Sequence, residues 1–86
     1  MPKQDLKNKV IWITGASSGL GQALAEECAL RGGQVILTAR RVAELEKIKA
    51  ALVHPEQHLC IGADITDESQ VLHAYEQVLQ SKGQID

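Results

Sequence analysis

The 86-residue sequence contains no phenylalanine, one tryptophan (Trp12) and one tyrosine (Tyr75). Stacking platforms for single-stranded nucleic acid are therefore missing. There is no excess of one charge: 9 basic against 11 acidic side chains leave a formal net charge of −2. That balance supports neither a nucleic-acid nor a membrane-surface role. The two cysteines, Cys28 and Cys60, do not make a disulfide framework. Neither has a second cysteine at metal-ligand spacing. No apolar run approaches the roughly 18 residues of a membrane span. The opening residues 1–9 are polar and lack the apolar centre of a signal peptide. A reduced, cytoplasmic protein is the expectation. The length bounds the chain to one small domain, without room for a cofactor domain plus a substrate domain. With 44% apolar residues it suits a folded chain rather than a disordered one.

Apolar runs and helical stripes alternate along the chain. Val10-Ile11-Trp12-Ile13 is continuous and mostly β-branched, as in a strand buried on both faces. A glycine-punctuated turn leads into a helix running to Arg31, with Leu20, Ala23, Leu24 and Cys28 on its expected inner face and Ala25 and Ala29 alongside. Gly32-Gly33 ends it. Val35-Ile36-Leu37 reads as a second strand. Val42, Leu45, Ile48 and Leu52 mark a second helix, which His54-Pro55 closes. Leu59-Cys60-Ile61 is a third strand. Asp67 with Gln70 resembles a capping box. It opens a helix through Val71, Ala74, Tyr75, Val78 and Leu79 that closes near Gly83. Ile85-Asp86 reads as the start of a fourth strand. The order β-α-β-α-β-α-(β) implies a Rossmann-like, doubly wound parallel α/β sheet, truncated at about that fourth strand.

Thr14-Gly15-x-x-x-Gly19-x-Gly21 joins the first strand to the first helix. Open parallel sheets bind ligands at the carboxyl ends of their strands. A helix N-terminus offers free N–H groups and a positive dipole end to a phosphate. Glycines let the backbone turn sharply and approach a ligand. The spacing is not Gly-x-Gly-x-x-Gly, and it is not a P-loop: Leu20 and Gly21 stand where the P-loop requires glycine and lysine. Strand, turn, helix and second strand together point to a dinucleotide site.

The motif Thr14-Gly15-Ala16-Ser17-Ser18-Gly19-Leu20-Gly21 resembles the cofactor motif of the short-chain dehydrogenase/reductase family. Leu6-Lys7-Asn8-Lys9-Val10, Gly62-Ala63-Asp64-Ile65-Thr66 and Gly83-Gln84-Ile85-Asp86 fit that pattern too, so the resemblance spans essentially the whole chain. It implies that Gly15, Ser17, Ser18, Gly19, Leu20 and Gly21 line a nicotinamide dinucleotide. Ala39 resembles the position where NAD-preferring members carry Asp. Arg40 and Arg41 follow at once, and guanidinium pairs bidentately with phosphate. The resemblance makes Arg40 the main ligand of a 2′-phosphate, with Ser17 as a second, and favours NADP(H) over NAD(H). It also assigns Asp64 to the adenine amino group, assisted by the backbone of Ile65.

Other constellations lead nowhere. His54, His58 and Cys60 read as a solvated loop, because Pro55 breaks the helix that would align the histidines. The family's catalytic pair is a Tyr followed four residues later by Lys. Leu79 holds that place after Tyr75, so Tyr75 reads as a packing residue. No catalytic Ser, Tyr and Lys set can be placed in these residues, and none is assigned to a metal. The main reading is the N-terminal cofactor-binding part of an NADP(H)-dependent short-chain oxidoreductase, itself inactive. The alternatives are a stand-alone NADP(H)- or adenosine-binding module, and a structural fragment that binds nothing. Self-association through an exposed sheet edge is expected in the chain alone.

Overall fold

The computed structural model describes residues 6–15, 19–83 and 85. The β-branched runs form three strands, β1 (Val10–Thr14), β2 (Gln34–Ala39) and β3 (Leu59–Gly62). They pair in parallel in the order β1-β2-β3. Val10 faces Gln34 at one end of the β1–β2 register and Thr14 faces Thr38 at the other; Ile36 to Ala39 face Leu59 to Gly62. Between the strands lie helices α1 (Gly19–Leu30) and α2 (Val42–Ala51), and α3 (Glu68–Lys82) follows β3. A short 3₁₀ turn, Pro55–Gln57, links α2 to β3. Ile85 lies in none of the described strands; it is half-buried against the α3 side of the sheet. Asp86, the rest of the expected fourth strand, lies outside the described residues.

Strand residues alternate between the two faces. Ile13, Val35 and Leu37 meet Ala25, Cys28 and Ala29 of α1 and Leu45 and Ile48 of α2, with Leu52 just beyond. Val10, Ile36 and Ile61 meet Ala74 and Val78 of α3. The sheet is thus covered by α1 and α2 on one face and by α3 on the other. The α1 face differs from the one its leucines suggest. Leu20 is 84% and Leu24 51% exposed, and Ala23 is exposed too. Gly21, Ala25, Cys28 and Ala29 form the inner stripe instead. Small side chains let the helix lie close on the strands, whose Ile, Val and Leu fill the interface. In α2, Leu45, Ile48 and the capping Leu52 are buried as expected, while Val42 is exposed.

The helix ends are built locally. After α1, the Gly33 N–H donates to the Cys28 carbonyl and the Gly32 N–H to that of Ala29, both at 3.0 Å. Gly32 takes φ +92°, which a side chain would strain. Asp67 caps α3, accepting from the Ser69 and Gln70 N–H groups. Gln70 departs from the ordinary capping box. Its Nε2 donates to Asp67 Oδ2 at 3.1 Å, but its Oε1 accepts from the Asp64 N–H at 2.8 Å rather than from that of Asp67. The start of α3 is thereby tied to the loop that follows β3.

Candidate functional site

The carboxyl ends of the strands meet at one edge of the sheet, and two backbone hydrogen bonds carry the pairing past them. The Gly15 N–H donates to the Thr38 carbonyl and the Ala63 N–H to the Ala39 carbonyl, each at 3.0 Å. The residues just beyond the strands are thus held in register. They line a cavity of about 350 Å³ formed by Gly15, Ala39, Arg40, Arg41, Glu44, Ala63, Asp64 and Ile65. That volume lies within the range of small-molecule sites.

Gly15 has φ +66°, and a Cβ built there meets no described atom within 4 Å. Conformation, not crowding, calls for glycine at this turn. A Cβ at Gly19 also meets no described atom within 4 Å. The first turn of α1 carries no acidic residue, whereas α2 has Glu44 and α3 has Glu68 there. Gly62 is glycine for lack of room: a Cβ there would run into Cγ2 of Val42, at the start of α2.

Charge on the cavity wall comes in pairs. Arg40 Nη2 lies 3.5 Å from Asp64 Oδ1, and Arg41 Nη1 lies 3.8 Å from Glu44 Oε1. Asp64 Oδ1 also accepts from the Thr66 N–H at 2.9 Å and from Thr66 Oγ1 at 2.6 Å. These Thr66 bonds, with Arg40 adding to them, hold the Asp64 carboxyl below its ordinary pKa and keep it ionised.

Of the candidate residues, Gly15, Arg40, Arg41, Asp64 and Ile65 share this cavity. Gly19 is exposed at the start of α1. Leu20 points largely into solvent and Gly21 is buried in α1; neither lines the cavity. Ser17 and Ser18 lie outside the described residues. The sequence reading missed Glu44, which looked like an ordinary first-turn carboxylate.

Residues 9–86 match the family described as short chain dehydrogenase. The chain belongs to the short-chain dehydrogenase family. It is 38% identical over 90 residues to the mouse dehydrogenase/reductase SDR family member 7, covering 99% of this chain and 27% of that protein. The 3-ketoacyl-(acyl-carrier-protein) reductase of Brucella melitensis, solved as a complex with NADH, superposes with a TM-score of 0.87 at 34% identity, over 95% of this chain and 33% of that one. A metagenomic short-chain oxidoreductase in complex with NADP superposes with a TM-score of 0.88 at 28% identity, over 96% and 38%. The chain therefore spans between about a quarter and two fifths of these relatives' lengths.

Two residues outside the cavity complete the account. Tyr75 stacks on Trp12, with ring centroids 6.5 Å apart and planes at 23°. Trp12 Nε1 in turn donates to the buried Thr38 Oγ1 at 2.6 Å. Tyr75 thus covers part of β1. His58 is not in a solvated loop: it is 3% exposed. Its Nδ1 accepts from the Val35 N–H at 3.0 Å and its Nε2 donates to the Val53 carbonyl at 2.9 Å. With both ring nitrogens engaged by backbone, His58 is a structural staple.

Proposed function

We propose that the chain is the N-terminal nucleotide-binding part of an NADP(H)-dependent short-chain oxidoreductase. The observation that carries this reading is the single cavity in which Gly15, Arg40, Arg41, Asp64 and Ile65 meet at the carboxyl ends of three parallel strands. The residues fit the group. Backbone N–H groups at the α1 N-terminus hold a pyrophosphate, with Gly15, Ser17, Ser18, Gly19, Leu20 and Gly21 contributing from the same turn. Asp64 accepts from the adenine amino group, assisted by the backbone of Ile65. Ala39 brings no carboxylate to the ribose, so nothing at that position repels a 2′-phosphate. Arg40 and Arg41 supply two guanidinium groups beside it. The bound dinucleotide supplies hydride exchange with a carbonyl or alcohol carbon; this chain's own residues bind and orient its adenosine and pyrophosphate portion. Cytoplasmic residence fits this reading, and no described helix is long and apolar enough to cross a membrane. Self-association of chain copies through the exposed β1 edge of the sheet belongs to the same proposal.

The test is calorimetric titration of the Arg40→Ala variant. Loss of the guanidinium is expected to weaken NADP(H) by about 1.5–3 kcal/mol, the worth of hydrogen bonds to charged groups. NAD(H) affinity should change far less. Equal losses for both cofactors would remove Arg40 from the 2′-phosphate site.

A further inference from the structure

Glu44 is the second carboxylate on the cavity wall, and its position differs in kind from that of Asp64. Asp64 is committed by Thr66 and Arg40. Glu44 faces Arg41 at an ion-pair separation of 3.8 Å that is too long for a hydrogen bond. Both side chains are largely in solvent, where such a pair adds little to stability. Its charge nevertheless stands beside the arginines that face the cavity. The wall carries Arg40 and Arg41 against Asp64 and Glu44, which sums to zero formal charge. A 2′-phosphate brings close to two negative charges near neutral pH. Each carboxylate on the wall opposes it. A 2′-hydroxyl carries no charge and is indifferent to them.

We propose that Glu44 is a specificity-determining residue that limits the site's preference for a 2′-phosphorylated adenine nucleotide, by holding Arg41 and by placing a negative charge on the cavity wall. The inference rests on the nucleotide-binding reading above, and it goes further by naming a residue that weakens rather than strengthens phosphate capture. Specificity is a difference between two affinities, and a repulsive group sets it as effectively as an attractive one.

The experiment titrates adenosine 2′,5′-bisphosphate and 5′-AMP, which differ only in the 2′-phosphate, into the full chain and its Glu44→Gln variant. Glu46→Gln is the control. It removes the same charge from an exposed position on the same helix that does not line the cavity. Glu44→Gln is expected to tighten the bisphosphate about 3- to 10-fold, the size Coulomb's law gives one charge acting on a dianion across a hydrated cavity. Its 5′-AMP affinity should stay within about twofold, and the gain should shrink as salt rises. An unchanged or weakened bisphosphate affinity in Glu44→Gln overturns the proposal, as does an equal gain in Glu46→Gln. If the unsubstituted chain binds both probes alike and Glu44→Gln separates them, the role of Glu44 stands and the NADP(H) preference falls. If the unsubstituted chain prefers the bisphosphate and Glu44→Gln changes nothing, the preference stands and the role of Glu44 falls. Failure of every form to bind either probe overturns both.

Discussion

His58 joins the start of β2 to the segment after α2 through one ring, and it does so only in one tautomer. Nδ1 must be unprotonated to accept from the Val35 N–H, so the neutral ring carries its proton on Nε2. Burial pushes its pKa below the ordinary 6.5; Lys82 and Lys49 act in the same direction, while the Val53 carbonyl and Glu56 oppose them. Because the unfolded chain binds the proton more readily, stability falls with acidification. The contribution of neutral His58 is complete above pH 6.5 and is lost as pH drops through the lower folded value. Denaturant unfolding at pH 7.5 and 5.5 should therefore show a loss in the unsubstituted chain and a smaller one in His58→Ala. At pH 7.5 that variant should be less stable by about 1–3 kcal/mol, because the buried Val35 N–H loses its acceptor. An equal pH dependence in both proteins would mean that His58 is protonated without cost. None of this was legible in the sequence, since both partners are backbone groups brought near by folding. The placing of Arg40, directly after β2, and of Asp64, two residues after β3, was legible through the family resemblance, at the edge where parallel sheets bind ligands. Glu44 was not, because a carboxylate in a helix's first turn has an ordinary reason to be there.

At the scale of elements, the sequence specified what local chemistry controls and misjudged what packing controls. The alternation of strands and helices, the glycine stop after α1, the Asp67 cap and the Gly83 end of α3 are all present. They depend on turn and cap residues a few positions apart. The inner face of α1 went the other way, since Leu20 and Leu24 form as good a helical stripe as Ala25, Cys28 and Ala29. Periodicity finds a stripe but does not weigh how closely the helix must approach the sheet. The same close approach governs the contact between β3 and α2. Gly62 ends β3 against Val42, the first residue of α2, and Val42 follows directly on the two site arginines. Gly62→Ala should destabilise the chain by about 1–3 kcal/mol through overpacking. Val42→Ala in the same chain should recover most of that loss, because it removes the methyl that the new Cβ meets. Thermal unfolding of the single and double variants checks this. Additive losses would show that Gly62 serves its backbone conformation rather than the contact.

For the molecule as a whole, right-handed crossovers between parallel strands put α1 and α2 on the same face of the sheet in the order β1-β2-β3, and α3 lies on the other face. The fourth strand was expected from Ile85-Asp86, and no described residue there joins the sheet. Pairing geometry depends on neighbours that the local sequence does not name. In the described sheet β1 is an outer strand, and Trp12 on its α3 face is only partly buried under Tyr75. On α3, Leu72, Tyr75 and Leu79 follow one another at helical spacing, exposed by 56%, 44% and 37%. An outer strand and an exposed apolar stripe are each the kind of surface that attracts a second chain. Sedimentation velocity over a concentration series is expected to show growing association. Leu72→Lys combined with Leu79→Lys should return the chain to a monomer with its circular dichroism unchanged, because both side chains lie outside the two cores. Association that survives these changes but is abolished by Leu24→Lys would move the contact to the exposed side of α1, where Leu20 and Leu24 form the competing stripe. A single monomeric species at every concentration would mean that neither stripe is open to a partner in solution.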